Sequence, residues 1–299
     1  MQNTTAQPFR ARFIIGKASL YLSSIRIWEA LFALPFAYIA MTLAARGWPG
    51  WHAFIWVTVA MMGVRTMAMS VNRLIHAKED ASNPRTLNRH IPQGLLKSGE
   101  VLGMALVSVA IFFVAAYQLN TLALILSPVA AAYVIIYAYA KYYTWLCSFM
   151  LGWALAMAPA GAWIGVTGSL DLPAVLLASA VAMWAGGFEV MYGCTDYDFD
   201  GKYGVNSVAR KFGIAGALRI ARVMHFLATV ALLVLGFWLN LSYFYFIGWV
   251  ITCLLLVYEN SLVKPVDLSK LDVAFFRVNS YISLQLLVFT ILAVAVARS

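Results

Sequence analysis

Two polar stretches carry most of the residues in this chain that could handle a charged ligand. The first runs from Asn72 to Pro92 and presents Asn72, His76, Glu79, Asp80, Arg85 and Arg89. Its Pro84 marks a helix boundary. The second runs from Asp196 to Lys211 and holds Asp196, Asp198, Asp200, Lys202, Arg210 and Lys211. Asp196 and Asp200 are four residues apart, so a helix through them puts both carboxylates on one face and Asp198 on another. Carboxylates that close repel unless a cation sits among them. Mg2+ prefers hard oxygen ligands, keeps several waters and is commonly held by carboxylates together with substrate phosphates. The basic residues that follow suit phosphate oxygens. A solvated acidic and basic loop is the plainer alternative, and the matching run in the first half weighs against it.

The elements that must position these runs are membrane helices. Of 299 residues, 63% are hydrophobic and 11% charged, and the mean hydropathy is +0.81, outside the range of soluble domains. Nine apolar spans are predicted, at about 21–45, 50–76, 97–118, 121–140, 145–166, 172–195, 215–239, 243–263 and 278–297, each able to cross roughly 30 Å of hydrocarbon. The fold class is therefore all-α, a polytopic bundle in one domain over residues 1–299 that meets the lipid bilayer. The first polar run ends the second span and the other ends the sixth, on one side. Arg10, Arg12, Lys17, Lys78, Arg85, Arg89, Lys141, Lys202, Lys211, Lys264 and Arg277 fall on that side. The opposite connections are short, with Arg46 and Arg298 their basic residues. The positive-inside rule makes the N-terminus and the long polar loops cytoplasmic and the C-terminus external. The net charge of +9 reads as this orientation rather than as nucleic-acid binding. No signal peptide is expected from the polar, basic start MQNTTAQPFRARF. Cys147, Cys194 and Cys253 have neither metal spacing nor a disulfide count.

Several ordered segments resemble the UbiA superfamily of intramembrane prenyltransferases, and its bacterial branch acting on aromatic acids. They are LFALPFAYIA (31–40), VRTMAMSVNRLI followed by DASNPRT, YAYAKYYTWLCSFMLG, APAGAWIGVTG (158–168), YGCTDYDFDGKYGVNSVARKFG and YENSLVKPVDLSKLDVAFFRVNS. The resemblance covers nearly the whole chain. It implies a nine-helix bundle with a central cavity, in a bacterial inner membrane, and two aspartate-rich motifs that hold Mg2+ and the diphosphate of a polyprenyl donor. A carbocation then forms and is attacked by an aromatic acid such as 4-hydroxybenzoate or a dihydroxynaphthoate, toward ubiquinone or menaquinone.

Matched residue by residue, the resemblance places Asn72 and Asp80 on the first motif and Asp196 and Asp200 on the second. Asp198 sits where relatives often carry an acid. Arg85 and Arg89 match basic loop positions, and Lys141 follows Tyr137 in a tyrosine–lysine pattern. Arginine often follows that lysine in the family; here Tyr142 does. Position 76, an aspartate in the family motif, is His76, and Glu79 is the acid that would partly substitute. Positions 65, 69, 72 and 76 share a helix face, which puts Arg65 in the cavity wall, facing an acceptor carboxylate or the diphosphate. An ion pair within the bundle is its plainer role. From another class comes a non-catalytic homologue that binds a quinone, isoprenoid or pigment, or serves in a membrane complex. His76 favours that reading, because imidazole is a poor Mg2+ ligand; Asp80, Asp196, Asp200 and the basic loop favour the enzyme.

Overall fold

The computed structural model describes residues 9–26 and 30–297; Arg298 and the first eight residues lie outside them. The described chain is helical: α1 (Phe9–Ser24), α2 (Ala30–Ala44), α3 (Trp51–Ile75), α4 (Ala77–Ser82), α5 (Ser98–Leu119), α6 (Thr121–Tyr143), α7 (Cys147–Thr167), α8 (Leu172–Tyr192), α9 (Tyr197–Tyr203), α10 (Val208–Trp238), α11 (Tyr243–Leu262) and α12 (Asn279–Val296). Among the described residues eight helical stretches are long and apolar enough to cross a membrane, and a shorter apolar segment, Ala33–Ala44, falls within the remaining predicted span.

That first span differs from its predicted 21–45. The Ser24 hydroxyl donates to the Tyr21 carbonyl at 2.7 Å, and Arg26 adopts a left-handed φ of 48°; together they end α1 before α2 begins. Freed carbonyls at this turn accept from α3: Arg65 Nη2 donates to the Arg26 carbonyl at 3.0 Å and Arg73 Nε to that of Ser24 at 3.3 Å. Cationic side chains suit the negative end of a helix.

The helices form two rings that share α2 and α7. In one, α2, α7, α8, α10, α11 and α12 each pack on their neighbours around a continuous apolar core that includes Phe36, Leu177, Trp184, Leu232, Tyr245 and Leu286. Close approach depends on small residues, as expected between membrane helices. A Cβ on Gly152 of α7 would stand 2.3 Å from the Ala182 carbonyl oxygen of α8, and one on Gly187 would stand 2.4 Å from His225 of α10. The other ring, α2, α3, α5, α6 and α7, closes around a cavity of about 490 Å3. Its lining along α3 runs from Val57 to His76, about 28 Å at the α-helical rise. The bundle is thus packed solid on one side and hollow on the other.

Candidate active site

The mouth of the cavity is built where α3, α6 and α8 end. At the α3 end, His76 closes the helix and starts the short α4, which carries Glu79 and Asp80. The following loop folds back on itself. The Asn83 side-chain oxygen accepts the Arg85 backbone N–H at 2.9 Å, and the Thr86 hydroxyl donates to the Asp80 carbonyl at 3.0 Å. This fold delivers two arginines to two aspartates. Arg89 Nη1 donates to both Asp80 carboxylate oxygens at 2.6 and 2.7 Å. Arg85 reaches across to the second polar run, its Nε and Nη2 meeting the Asp196 carboxylate at 3.0 and 2.5 Å. Asn83 adds a third donor to Asp196 at 3.3 Å. The two polar runs, over a hundred residues apart in sequence, therefore close on each other through charge-assisted bonds.

At the α8 end a short 3-10 turn, Gly193–Asp196, leads into α9. The nearly continuous helix keeps Asp196 and Asp200 on the cavity side, as their spacing predicted, and Asp200 is buried. Asp198 falls on the other face and is exposed. Asn206 ties this run to the end of α6: its backbone N–H donates to the Lys141 carbonyl at 3.0 Å and its side chain to that of Tyr142 at 3.2 Å.

Of the residues singled out in the sequence, Arg65, Asn72, His76, Glu79, Asp80, Arg85, Arg89, Tyr137, Lys141, Asp196 and Asp200 line this one cavity. Lys202 and Lys211 do not, and both are exposed. Two positions along α9 carry Lys202 roughly 200° around from Asp200, and Lys211 Nζ lies 4.0 Å over the Trp145 ring. Residues not singled out in the sequence also line it, among them Glu189, Tyr192, Asn206 and Phe275. Glu189 had a signal, an acid inside an otherwise apolar span; Phe275 had none among so many aromatic residues.

His76 is 4% exposed, just past the end of the α3 span. Its Nδ1 lies 2.7 Å from the Tyr142 hydroxyl. Burial above all, and then the nearby Lys141 charge, push its pKa down to about 3, so the ring is neutral at physiological pH. It is occupied by a tyrosine and adds no negative charge.

Among the described residues no group of three or more His, Cys, Asp or Glu side chains forms a metal cage. Mg2+ delivered with a diphosphate needs one or two carboxylates and completes its shell with phosphate and water. Asp80, Asp196 and Asp200 are hard donors on one cavity wall, and a buried Glu79 oxygen, Oε2, has no hydrogen-bond partner among the described residues. Below this polar mouth the walls are apolar, formed by residues such as Met61, Val64, Leu126, Val134, Leu151 and Met157.

The chain forms a multi-pass membrane bundle in which a deep cavity joins an acidic and basic mouth to an apolar shaft. The chain belongs to the UbiA prenyltransferase family, whose profile matches residues 33–297. A 4-hydroxybenzoate octaprenyltransferase of Aliivibrio fischeri is 31% identical over 265 residues, covering 87% of this chain and 88% of that protein. One from Citrobacter koseri is 30% identical, covering 87% of each. The apo structure of a UbiA homologue from Aeropyrum pernix superposes with a TM-score of 0.77 at 25% identity, covering 91% of this chain and 98% of that one. A UbiA homologue from Archaeoglobus fulgidus bound to GPP and Mg2+ shares the fold, with a TM-score of 0.72 at 15% identity and coverage of 92% and 99%.

Proposed function

We propose that this enzyme transfers a polyprenyl group from a polyprenyl diphosphate to an aromatic acid of the 4-hydroxybenzoate or dihydroxynaphthoate type, with Mg2+, as a step in quinone biosynthesis. The observation that carries the reading is the deep cavity in which Asp80–Arg89 and Asp196–Arg85 face one another above an apolar shaft. Relatives named as 4-hydroxybenzoate octaprenyltransferases support the choice of substrates.

In this reading the isoprenoid tail occupies the apolar shaft, and the diphosphate sits among Arg85, Arg89 and Lys141. Asn72, Asp80, Asp196 and Asp200 hold Mg2+, which when bound neutralises the diphosphate and so favours its departure. The arginines have a fixed fork geometry that matches phosphate oxygens as well as carboxylates, and stabilise the charge as the allylic C–O bond breaks and its electron pair leaves with the diphosphate. Aromatic faces at Tyr137, Tyr192 and Phe275 lie along the wall and stabilise the cation. The acceptor carboxylate is received by Arg65, and the ring carbon forms the new bond, then loses its proton. In this reading the mouth opens on the cytoplasmic face of a bacterial inner membrane, an orientation that the positive-inside pattern supports.

Binding without turnover, the other reading, rested on His76. The Tyr142 contact gives that histidine a different occupation and leaves Asp80, Asp196 and Asp200 in the cavity wall.

Membranes containing the protein, supplied with polyprenyl diphosphates and a panel of aromatic acids, should form a prenylated acid only with Mg2+. Asp196→Asn should lower the rate roughly a hundredfold. Wild-type membranes that yield no prenylated product from any combination would refute the proposal.

A further inference from the structure

The packed ring contains a polar cluster that the proposed chemistry leaves unused. Glu259 of α11, Asn279 of α12 and Trp184 of α8 are buried, the first two completely. Trp184 Nε1 donates to the Asn279 side-chain oxygen at 2.7 Å, and Asn279 Nδ2 donates to Glu259 Oε1 at 3.0 Å. An indole N–H only donates, so the orientation of the Asn279 amide is fixed. Its Nδ2 also meets the backbone carbonyls of Ala274 and Phe275 at 3.2 and 3.1 Å. Those carbonyls belong to Val273–Val278, a single π-helical turn ahead of α12. Wide turns of this kind are often functional, and side chains satisfy the backbone they displace.

The turn faces the cavity. Phe275 packs on Tyr192 with the rings tilted by 33° and their centroids 4.3 Å apart, and meets Phe188 edge-on at 5.0 Å; all three line the cavity. Tyr192 in turn lies 5.6 Å from the Arg85 guanidinium, which holds Asp196. A contiguous path therefore leads from a buried carboxyl in the packed ring to the polar mouth.

We propose that Glu259, Asn279 and Trp184 are positioning residues that lock the π turn, and through it the Phe275–Tyr192–Phe188 wall that keeps water from the allylic cation. This rests on the prenyltransferase reading. When the wall is loose, water adds to the cation in place of the acceptor ring and loses a proton, giving a prenyl alcohol beside the released diphosphate.

The test uses the full chain in detergent. Trp184→Phe deletes the N–H together with one of the two fused rings; Asn279→Ala deletes the hub. Amide exchange over 273–278 should rise about three- to tenfold in Trp184→Phe, the worth of one net hydrogen bond, and at least as much in Asn279→Ala, with α5 unchanged. The ratio of prenyl alcohol to prenylated acid should rise severalfold, and Glu259→Gln, which keeps an acceptor for Asn279, should disturb both readouts less than Glu259→Leu. Unchanged exchange in folded Trp184→Phe overturns the proposal, as does faster exchange with an unchanged product ratio. A wild-type protein that makes neither product fails the prenyltransferase reading instead, and the exchange data still decide whether the network holds the turn.

Discussion

Replacing Arg89 with glutamine should expose how the site trades its own charges for a metal. The guanidinium Nη1 bonds both oxygens of Asp80, and the two side chains are 19% and 7% exposed. Breaking one partner of a fully buried pair costs about 3–5 kcal/mol, because the remaining charge is left uncompensated. The partial exposure of Arg89 screens the pair, so about 2–3 kcal/mol is the expected loss without metal. Mg2+ changes the comparison. In the proposed reading the ion competes with Arg89 for the same carboxylate in the wild type, whereas in Arg89→Gln the carboxylate is open. Mg2+ should therefore stabilise the variant more than the wild type, by about 1 kcal/mol or more, a fivefold difference in apparent affinity. Chemical denaturation in detergent, followed by tryptophan fluorescence across a Mg2+ titration, reads both quantities. An equal Mg2+ response in the two proteins would refute the assignment of Asp80 as a metal ligand held in reserve by Arg89.

His76 stays neutral in the fold, with a pKa lowered from 6.5 to about 3. Below pH 6.5 the unfolded chain therefore binds a proton that the native one refuses, and stability falls with pH. Between pH 7 and 5 the wild type should lose up to about 2 kcal/mol more than His76→Gln; parallel denaturation curves would count against a buried neutral ring. A His76→Asp and Tyr142→Arg cycle should show favourable coupling of about 1–3 kcal/mol, with the double variant folding better than the two single effects predict. Strict additivity in that cycle would show that the two positions do not interact. Gly187→Ala forces a Cβ against His225 and should destabilise by about 1–3 kcal/mol, while Gly103→Ala, with nothing within 4 Å of its added carbon, should not.

Hydropathy made the bundle legible because backbone groups in lipid must be satisfied within helices, and the spans follow from that. It failed at 21–45, where the break depends on Ser24 bonding Tyr21 and on arginines from α3 capping the exposed carbonyls. No local pattern announces a cap supplied from some forty residues away. The same limit explains Lys202 and Lys211. Composition marked them as phosphate ligands, yet helix rotation and the Trp145 ring take them from the cavity. Nor does hydropathy separate the packed ring from the hollow one, since lipid-facing, core-facing and cavity-facing residues are all apolar. The hollow follows from which helices touch, and Phe275 enters its wall only through contacts made from the far ring.

The two departures from the family pattern gain a single meaning from the structure. The resemblance leads to an aspartate at position 76 and often an arginine at position 142; this chain has histidine and tyrosine, and those two side chains touch at 2.7 Å. Where the resemblance leads to an acid and often a base, two neutral groups hydrogen-bond each other, so this pair adds no net charge to the mouth. His76 alone, read along the chain, looks like a damaged metal motif. Beside Tyr142 it is one half of a neutral replacement at the rim, and the carboxylates that remain, Asp80, Asp196 and Asp200, still line the cavity with the arginines Arg85 and Arg89.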